Sequence, residues 1–277
     1  MTKKMWEKFP EDTLALLFTA VEEDDNVDDH TSLPSVIDLQ CPRENIYQNY
    51  ALCLQFWRDG FTREELLGLV DKFTRNPDLP QAVRMRYKYI RARYKHLRFA
   101  QRLYSKTHQS FGLFNTTTVV LGHFQDAFRN GNQKNLRYYG AILRILLSNP
   151  VWSLVNYAMS HFQLETESGF IAYRQSQIRT LGRLIKRPQL TGEEFHDVRK
   201  IVSQQVSFYD TLRSINPGDQ QAYEMSRFLA AINGIMGDQH DVMVADKLAG
   251  GSMYDETTAL EPDLRLRLEQ LLARYPL

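Results

Sequence analysis

Six cationic side chains recur along one predicted helix, residues 81–107, at steps of four, three, four, three and four residues. This spacing places them on one face of an α-helix. Guanidinium groups bind phosphate oxygens through paired hydrogen bonds, and ammonium groups act as point charges, so such a face suits a phosphorylated polymer. The row consists of Arg84, Lys88, Arg91, Lys95, Arg98 and Arg102.

The sequence around this row is almost free of acidic residues. Residues 79–164 contain 13 Lys and Arg but a single acid, Asp126, which gives them a formal charge of +12. The residues before this block carry −8 and those after it −3, so the whole chain sums to +1. Surface helices ordinarily mix Glu with Lys, because like charges at i,i+4 repel each other. The asymmetry therefore predicts an anionic partner outside the helix.

A short glycine-aspartate pattern occurs twice, at an offset of 115 residues. Gly122 and Asp126 form a G-x-x-x-D segment, and Gly237 and Asp241 repeat it. The glycine would let two helices approach closely, and the aspartate one turn later would orient cations through charge-assisted hydrogen bonds. Self-similarity at a fixed offset predicts a duplicated unit.

The same offset aligns the basic residues that precede each G-x-x-x-D segment. Arg84 falls opposite Arg199, and Gln81 falls opposite His196, with Lys200 following in the second copy. We expect His196, Arg199 and Lys200 to bind anions from the second half. His196 would gain charge as the pH falls below its ordinary pKa of about 6.5.

At these residues the chain resembles the CHAD domain, the conserved histidine α-helical domain. That family has H-x-x-R, further basic residues and a late L-G-x-x-x-D in each half, and the resemblance covers about residues 75–250. It implies two helical bundles, related by a pseudo-twofold duplication around a basic channel, that bind inorganic polyphosphate or a similar phosphorylated polymer. Gln81 replaces the first histidine, and Ser203, Gln204 and Val206 stand where the second half should be basic. A groove positive on one wall is therefore expected.

Almost every segment reads as helix, because Gly and Pro cluster between stretches of helical periodicity and strand patterns are nearly absent. We predict an all-α protein with three parts: an acidic N-terminal extension with helices (1–74), a duplicated CHAD-like domain (75–250, halves about 75–160 and 161–250), and a C-terminal loop and helix (251–277). Beyond residues 81–107, helices are predicted from Thr62 to before Pro77 and near 46–58, 114–129, 133–148, 151–163, 167–187, 192–214, 219–236, 239–249 and 263–274.

Several function classes find no support in the sequence. No apolar signal-peptide core follows Met1, and the most apolar stretch, 141–155, is too short to span a bilayer. Two cysteines make neither a disulfide framework nor a metal spacing. Phosphate-cradling glycine loops, G-x-S-x-G and H-E-x-x-H are all absent. We expect a cytosolic, non-enzymatic protein without cofactor or metal.

Three alternatives to polyphosphate binding remain open. Single-stranded nucleic acid would stack its bases on tyrosines interleaved with the cations. An acidic protein partner, or the chain's own acidic segment 22–29, would pair with the basic block. A helical metalloenzyme would use Glu193-x-x-His196 with Asp238, His240 and Asp241, although a second Glu-x-x-His is missing. The interleaved tyrosines are Tyr87, Tyr89, Tyr94 and Tyr104.

Overall fold

The computed structural model describes residues 6–28, 30–76, 78–248 and 250–277, and this part of the chain is all-α. Its strands are two short pieces, β1 (Gln189–Leu190) and β2 (Thr258–Ala259), which pair antiparallel. Asp29 and Pro77, which the sequence placed in the acidic segment and after a helix, lie outside the described residues. The helices are α1 (Glu11–Glu22), α2 (Arg43–Arg58), α3 (Arg63–Arg75), α4 (Gln81–Tyr104), α5 (Gly112–Arg129), α6 (Gln133–Leu146), α7 (Asn149–Ser160), α8 (Glu167–Ile185), α9 (Gly192–Ile215), α10 (Gln220–Leu248) and α11 (Pro262–Arg274).

Helix starts follow local capping chemistry. The Thr62 hydroxyl accepts a hydrogen bond from the Glu65 backbone N–H at 3.1 Å, as predicted. Thr191 and Glu194 form a reciprocal capping box at the start of α9. Side-chain oxygens of Ser, Thr, Asn and Asp at this position bond backbone N–H groups that the helix leaves unpaired. These caps fix where the helices that carry the basic residues begin.

Contacts divide the chain into two compact units, each with its own core. Unit 1 comprises the described residues up to Phe9 together with Ile46–Glu165, and unit 2 comprises Pro10–Asn45 together with Thr166–Leu277. The two units cut across the predicted parts, because residues 10–45 pack with the C-terminal helices and residues 46–74 pack with the basic block. The boundaries of these contact units therefore differ from the boundary predicted at residue 74.

The core of unit 1 is rich in aromatic rings. Phe73 and Phe128 stack with their centroids 4.1 Å apart, and Trp57 meets Tyr94 and Phe114 edge-on. Such pairs stabilise a core beyond the area that they bury. They pack α4 against α3 and α5 and so fix its apolar stripe. In its cationic row Lys88 is exposed and the other five members are partly buried.

Unit 2 is built around α9. Every residue from 201 to 210 is buried, and the helices that pack on α9 are α10, α1 and α8. Two features here were not predicted: α1 was missed, and the segments 219–236 and 239–249 form the single helix α10. Gly237 therefore lies inside a continuous helix, where the neighbouring helices stabilise it against the usual cost of a mid-helix glycine.

Candidate anion-binding surfaces

The eight basic residues of α4 divide into two groups with different surroundings. Arg86 forms an ion pair with Glu65, with Nε 2.6 Å from Oε1. Arg93 donates to the Phe56 carbonyl at 2.6 Å and lies 4.0 Å from the centroid of the Phe56 ring. Both side chains are thus bound to α2 and α3 and contribute to the packing of unit 1. They were outside the predicted row, which the structure leaves on the other side of the helix.

Five of the six predicted cations have no acidic partner. Among the described residues, no carboxylate lies within ion-pair distance of these five side chains. Arg84 differs, because its guanidinium pairs with Asp78 at 2.7 Å and donates to the Leu79 carbonyl at 2.9 Å. We refer to the five unpaired residues as the basic face: Lys88, Arg91, Lys95, Arg98 and Arg102.

Arg98 is the least solvated member of the basic face. Its Nε is buried and has no hydrogen-bond partner in the described part of the chain. Burial, together with the nearby charges of Arg102 and Arg91, lowers the pKa of Arg98 to about 10. A base whose pKa falls because of neighbouring cations lies in a positive potential, which an anion would relieve.

Each unit places one arginine against the glycine of its G-x-x-x-D segment. A Cβ added at Gly122 would lie 3.2 Å from Arg91 Nη2, and one added at Gly237 would lie 3.2 Å from Arg199 Nη2. In this contact Arg199 thus matches Arg91, whereas the predicted alignment places it opposite Arg84. The separation between arginine and glycine is 31 residues in unit 1 and 38 in unit 2, a difference of seven residues or about two helical turns.

The third residue after each glycine contacts a predicted anion-binding residue, a contact that was not predicted from the sequence. Gln125 accepts a hydrogen bond from Arg91 Nη1 at 3.3 Å. The corresponding residue in unit 2, His240, stacks on His196 with ring centroids 5.2 Å apart. The pattern G-x-x-[QH]-D would have pointed to these residues.

The two aspartates that were predicted to orient the cations, Asp126 and Asp241, are both exposed on their helices. The described neighbours of the Arg91 guanidinium are Gly122 and Gln125. The orienting role of the two aspartates stays a prediction.

The predicted anion-binding residues of unit 2 have mixed surroundings. Lys200 pairs with Asp197 at 2.9 Å, one turn earlier on the exposed face of α9. Burial, then the charges of Lys200 and the nearby His240 and Arg199, lowers the pKa of His196 to about 4. The expectation that His196 gains charge just below pH 6.5 is therefore wrong, since the ring stays neutral through that range.

Two of the positions where a basic row was missing in unit 2, Ser203 and Gln204, make polar side-chain hydrogen bonds inside the unit. Ser203 donates to Asn233 Oδ1 at 2.7 Å, and Asn233 Nδ2 donates to Asp25 Oδ1 at 2.7 Å. Gln204 accepts a hydrogen bond from the Tyr173 hydroxyl at 2.9 Å. Buried amides and hydroxyls that satisfy one another serve packing and leave no charge for an external anion.

The acidic segment makes its described contacts inside unit 2. Glu23 lies 3.3 Å from Arg213 and 3.5 Å from Arg227, on α9 and α10. A Cβ at Gly234 would clash with the Asp25 carbonyl oxygen, so the loop passes very close to α10. In the described contacts Glu23 pairs with arginines of its own unit, and the hypothesis that the segment pairs with the basic block stays a prediction.

The two remaining alternatives, binding of single-stranded nucleic acid and a helical metalloenzyme, find little support in the described structure. Tyr87, Tyr94 and Tyr104 are buried in the core of unit 1, so they offer no surface on which bases could stack. In the part of the chain that the structure describes, no group of three or more His, Cys, Asp or Glu side chains is arranged to hold a metal ion. No described helix has the length and apolar character needed to cross a bilayer.

Comparison with known proteins gives no further assignment. Neither a family model, nor a curated protein, nor a solved structure matches this chain.

Proposed function

We propose that unit 1 binds a phosphorylated polymer, most simply inorganic polyphosphate, along the basic face of α4. The observation that carries the proposal is that five cations share one helix face without a carboxylate among the described residues. A cationic row without internal counter-charges repels itself, and a polymer with about one charge per monomer offsets this repulsion. The CHAD resemblance supports the same ligand class.

Polyphosphate is favoured over single-stranded nucleic acid because affinity for the latter relies on stacking. Base stacking on aromatic side chains contributes about 1–3 kcal/mol per base. Three of the four tyrosines that interleave with the cations lie in the core, with Tyr87, Tyr94 and Tyr104 at most 1% exposed, and Tyr89 is partly exposed. RNA would then bind mainly through its phosphates.

The test is a salt-dependent titration of long-chain polyphosphate with single-stranded RNA as competitor. The double variant Lys88→Ala/Lys95→Ala removes two charges from the basic face. By counterion release, its log–log salt slope should fall by about 1.4 if each lysine neutralises one phosphate. The matched control, Lys134→Ala/Arg137→Ala, removes the same charge from exposed positions on α6 and should keep most of the slope.

Tight binding that RNA displaces poorly, with a slope that depends on Lys88 and Lys95, supports the proposal. Equal losses in the two double variants would mean that net charge alone drives association. No binding of either polymer at low salt would contradict the proposal.

A further inference from the structure

The second unit contains a positive charge that is buried without a counter-ion. Arg174 on α8 is 0% exposed. Among the described residues, no carboxylate lies within ion-pair distance of its guanidinium. An arginine stays protonated in a protein, and an isolated buried charge is costly unless it is paired. An anion beside the guanidinium would offset this cost.

The hydrogen bonds of this guanidinium are incomplete. Nε and Nη2 donate to Gln205 Oε1 at 3.1 and 3.0 Å, and Nη2 also donates to the Tyr209 hydroxyl at 2.9 Å. Nη1 has no partner in the described part of the chain, and neither does the buried Gln205 Nε2. Two donors of the same hydrogen-bonded pair thus lack an acceptor. Buried donors are ordinarily satisfied, so an unmatched pair points to a missing group.

The other groups around Arg174 do not provide the negative charge. The ring of Phe208 lies 4.1 Å from its Cζ, and the Tyr275 ring lies 5.8 Å away. Burial raises the pKa of the Cys41 thiol to about 12 and also raises the pKa of Tyr275, so both are neutral near pH 7. The aromatic faces attract the cation but cannot accept hydrogen bonds from Nη1 as an anion would.

A cavity of about 550 Å³ in unit 2 is lined by the sequence neighbours of this cluster: Gln40 precedes Cys41, Gln175 follows Arg174, and Pro276 follows Tyr275. At this cavity Gln175 donates to the Pro276 carbonyl at 3.1 Å.

We propose that Arg174 Nη1 and Gln205 Nε2 form a binding seat for one compact monoanion, either a halide ion or the carboxylate of a small molecule. The seat is independent of the basic face in unit 1. Its buried position, among the rings of Phe170, Phe208 and Tyr275, excludes a long polyanion.

The experiment compares thermal unfolding of the full chain in chloride, acetate and gluconate at equal ionic strength. We expect the Tm to be about 3 °C higher in 100 mM chloride or acetate than in bulky gluconate, as linkage predicts for a native-state ligand. Stabilisation by chloride identifies a halide seat, and stabilisation by acetate alone identifies a carboxylate seat. Broadening of the ³⁵Cl resonance provides a direct measure of halide binding.

Two variants and one control make the result specific. Arg174→Met should abolish the anion dependence. Gln205→Glu places a carboxylate beside the guanidinium, so it should raise the Tm in gluconate and remove the dependence of the Tm on the anion. This variant tests the proposal if Arg174→Met fails to fold. Arg267→Met alters another buried arginine, paired with Asp263 at 2.8 Å, and should retain the dependence. Equal Tm values of the wild type in all three salts, or persistence of the dependence in Gln205→Glu, would overturn the proposal.

Discussion

Arg91 and Arg199 each pack against a glycine, whose lack of a side chain makes room for the guanidinium. Each guanidinium occupies the place where a Cβ of the facing glycine would be tight, at 3.2 Å. A glycine on a packed helix is thus used to bring a charged group close to the backbone of a neighbour. The requirement is steric, so it can be tested by one methyl group.

We predict that Gly122→Ala weakens polyphosphate binding about two- to fivefold, because Arg91 must move by a few tenths of an ångström. Isothermal titration at fixed salt measures this loss. Gly68→Ala is the matched control, since no atom lies within 4 Å of its added methyl group. That control should leave binding unchanged and stabilise α3 by about 0.5–1 kcal/mol. Unchanged affinity in Gly122→Ala would show that the position of Arg91 is not critical.

His196 provides a second prediction at the residue scale. Its folded-state pKa of about 4 lies below the ordinary value, so the folded protein binds fewer protons than the unfolded chain between about pH 6.5 and 4. The associated stability is complete above that window and is lost as the pH falls through it. Histidine ring resonances followed by NMR should give a midpoint near 4 for His196, and a midpoint near 6.5 would contradict its burial.

Sequence patterns could predict the composition of the basic face but not every contact. The steps of three and four residues identified Lys88 to Arg102 correctly as one face of α4. They could not reveal that Arg84 is bound by Asp78, because that contact depends on how the chain enters the helix. Nor could the alignment at a fixed offset reveal the matching glycine contacts of Arg91 and Arg199, since the separation between arginine and glycine differs by seven residues in the two units.

At the scale of elements, α9 is notable because many of its buried side chains are polar. Asp210 is 1% exposed, accepts a hydrogen bond from Ser226 at 2.6 Å, and lies 3.5 Å from Arg213 Nε. Burial is the largest cause that raises the pKa of Asp210 to about 7, and the nearby Asp24 adds to it. This carboxyl group links α9 to α10.

We predict that the protein loses stability as the pH rises through about 7. The folded state holds a proton on Asp210 that the unfolded chain releases near pH 4, so the stability from this group is present at low pH and lost on its ionisation. Asp210→Asn should remove this loss. Urea unfolding at pH 6 and pH 8 measures the difference, and a wild type equally stable at both values would contradict it.

The acidic loop gives another prediction at this scale. Glu23→Gln/Asp25→Asn removes the charges that face Arg213, Arg227 and Asn233, so unit 2 should unfold at a lower temperature. Polyphosphate affinity at low salt should be unchanged, because these contacts lie outside unit 1. A clear gain in affinity would support the idea that this segment screens the basic block.

Helix positions could largely be predicted from the sequence, whereas the grouping of helices could not. Periodicity and caps gave most of α2 to α11 to within a few residues. The error at Gly237 arose because tertiary packing outweighs the intrinsic preference of one glycine. The membership of α1 in unit 2 depends on contacts with α9, nearly two hundred residues later in the sequence, which no local pattern reports.

For the whole molecule, two cores imply more than one cooperative unfolding step. We predict a calorimetric enthalpy larger than the van't Hoff enthalpy, the usual sign that a single two-state transition does not apply. Polyphosphate should shift the transition of unit 1 alone if the basic face is the binding surface. A shift of both transitions would mean that Arg199 and Lys200 also contact the polymer.

The order in which the chain is synthesised has a consequence for unit 2. Residues 10–45 emerge from the ribosome before the helices that cover them, which begin at Glu167. Unit 1 can complete its fold while Leu17, Ala20 and Val21 of α1 still lack their buried contacts. The nascent chain must therefore carry this apolar helix face through more than a hundred further residues of translation, a period in which a chaperone that recognises exposed apolar segments would have access to it.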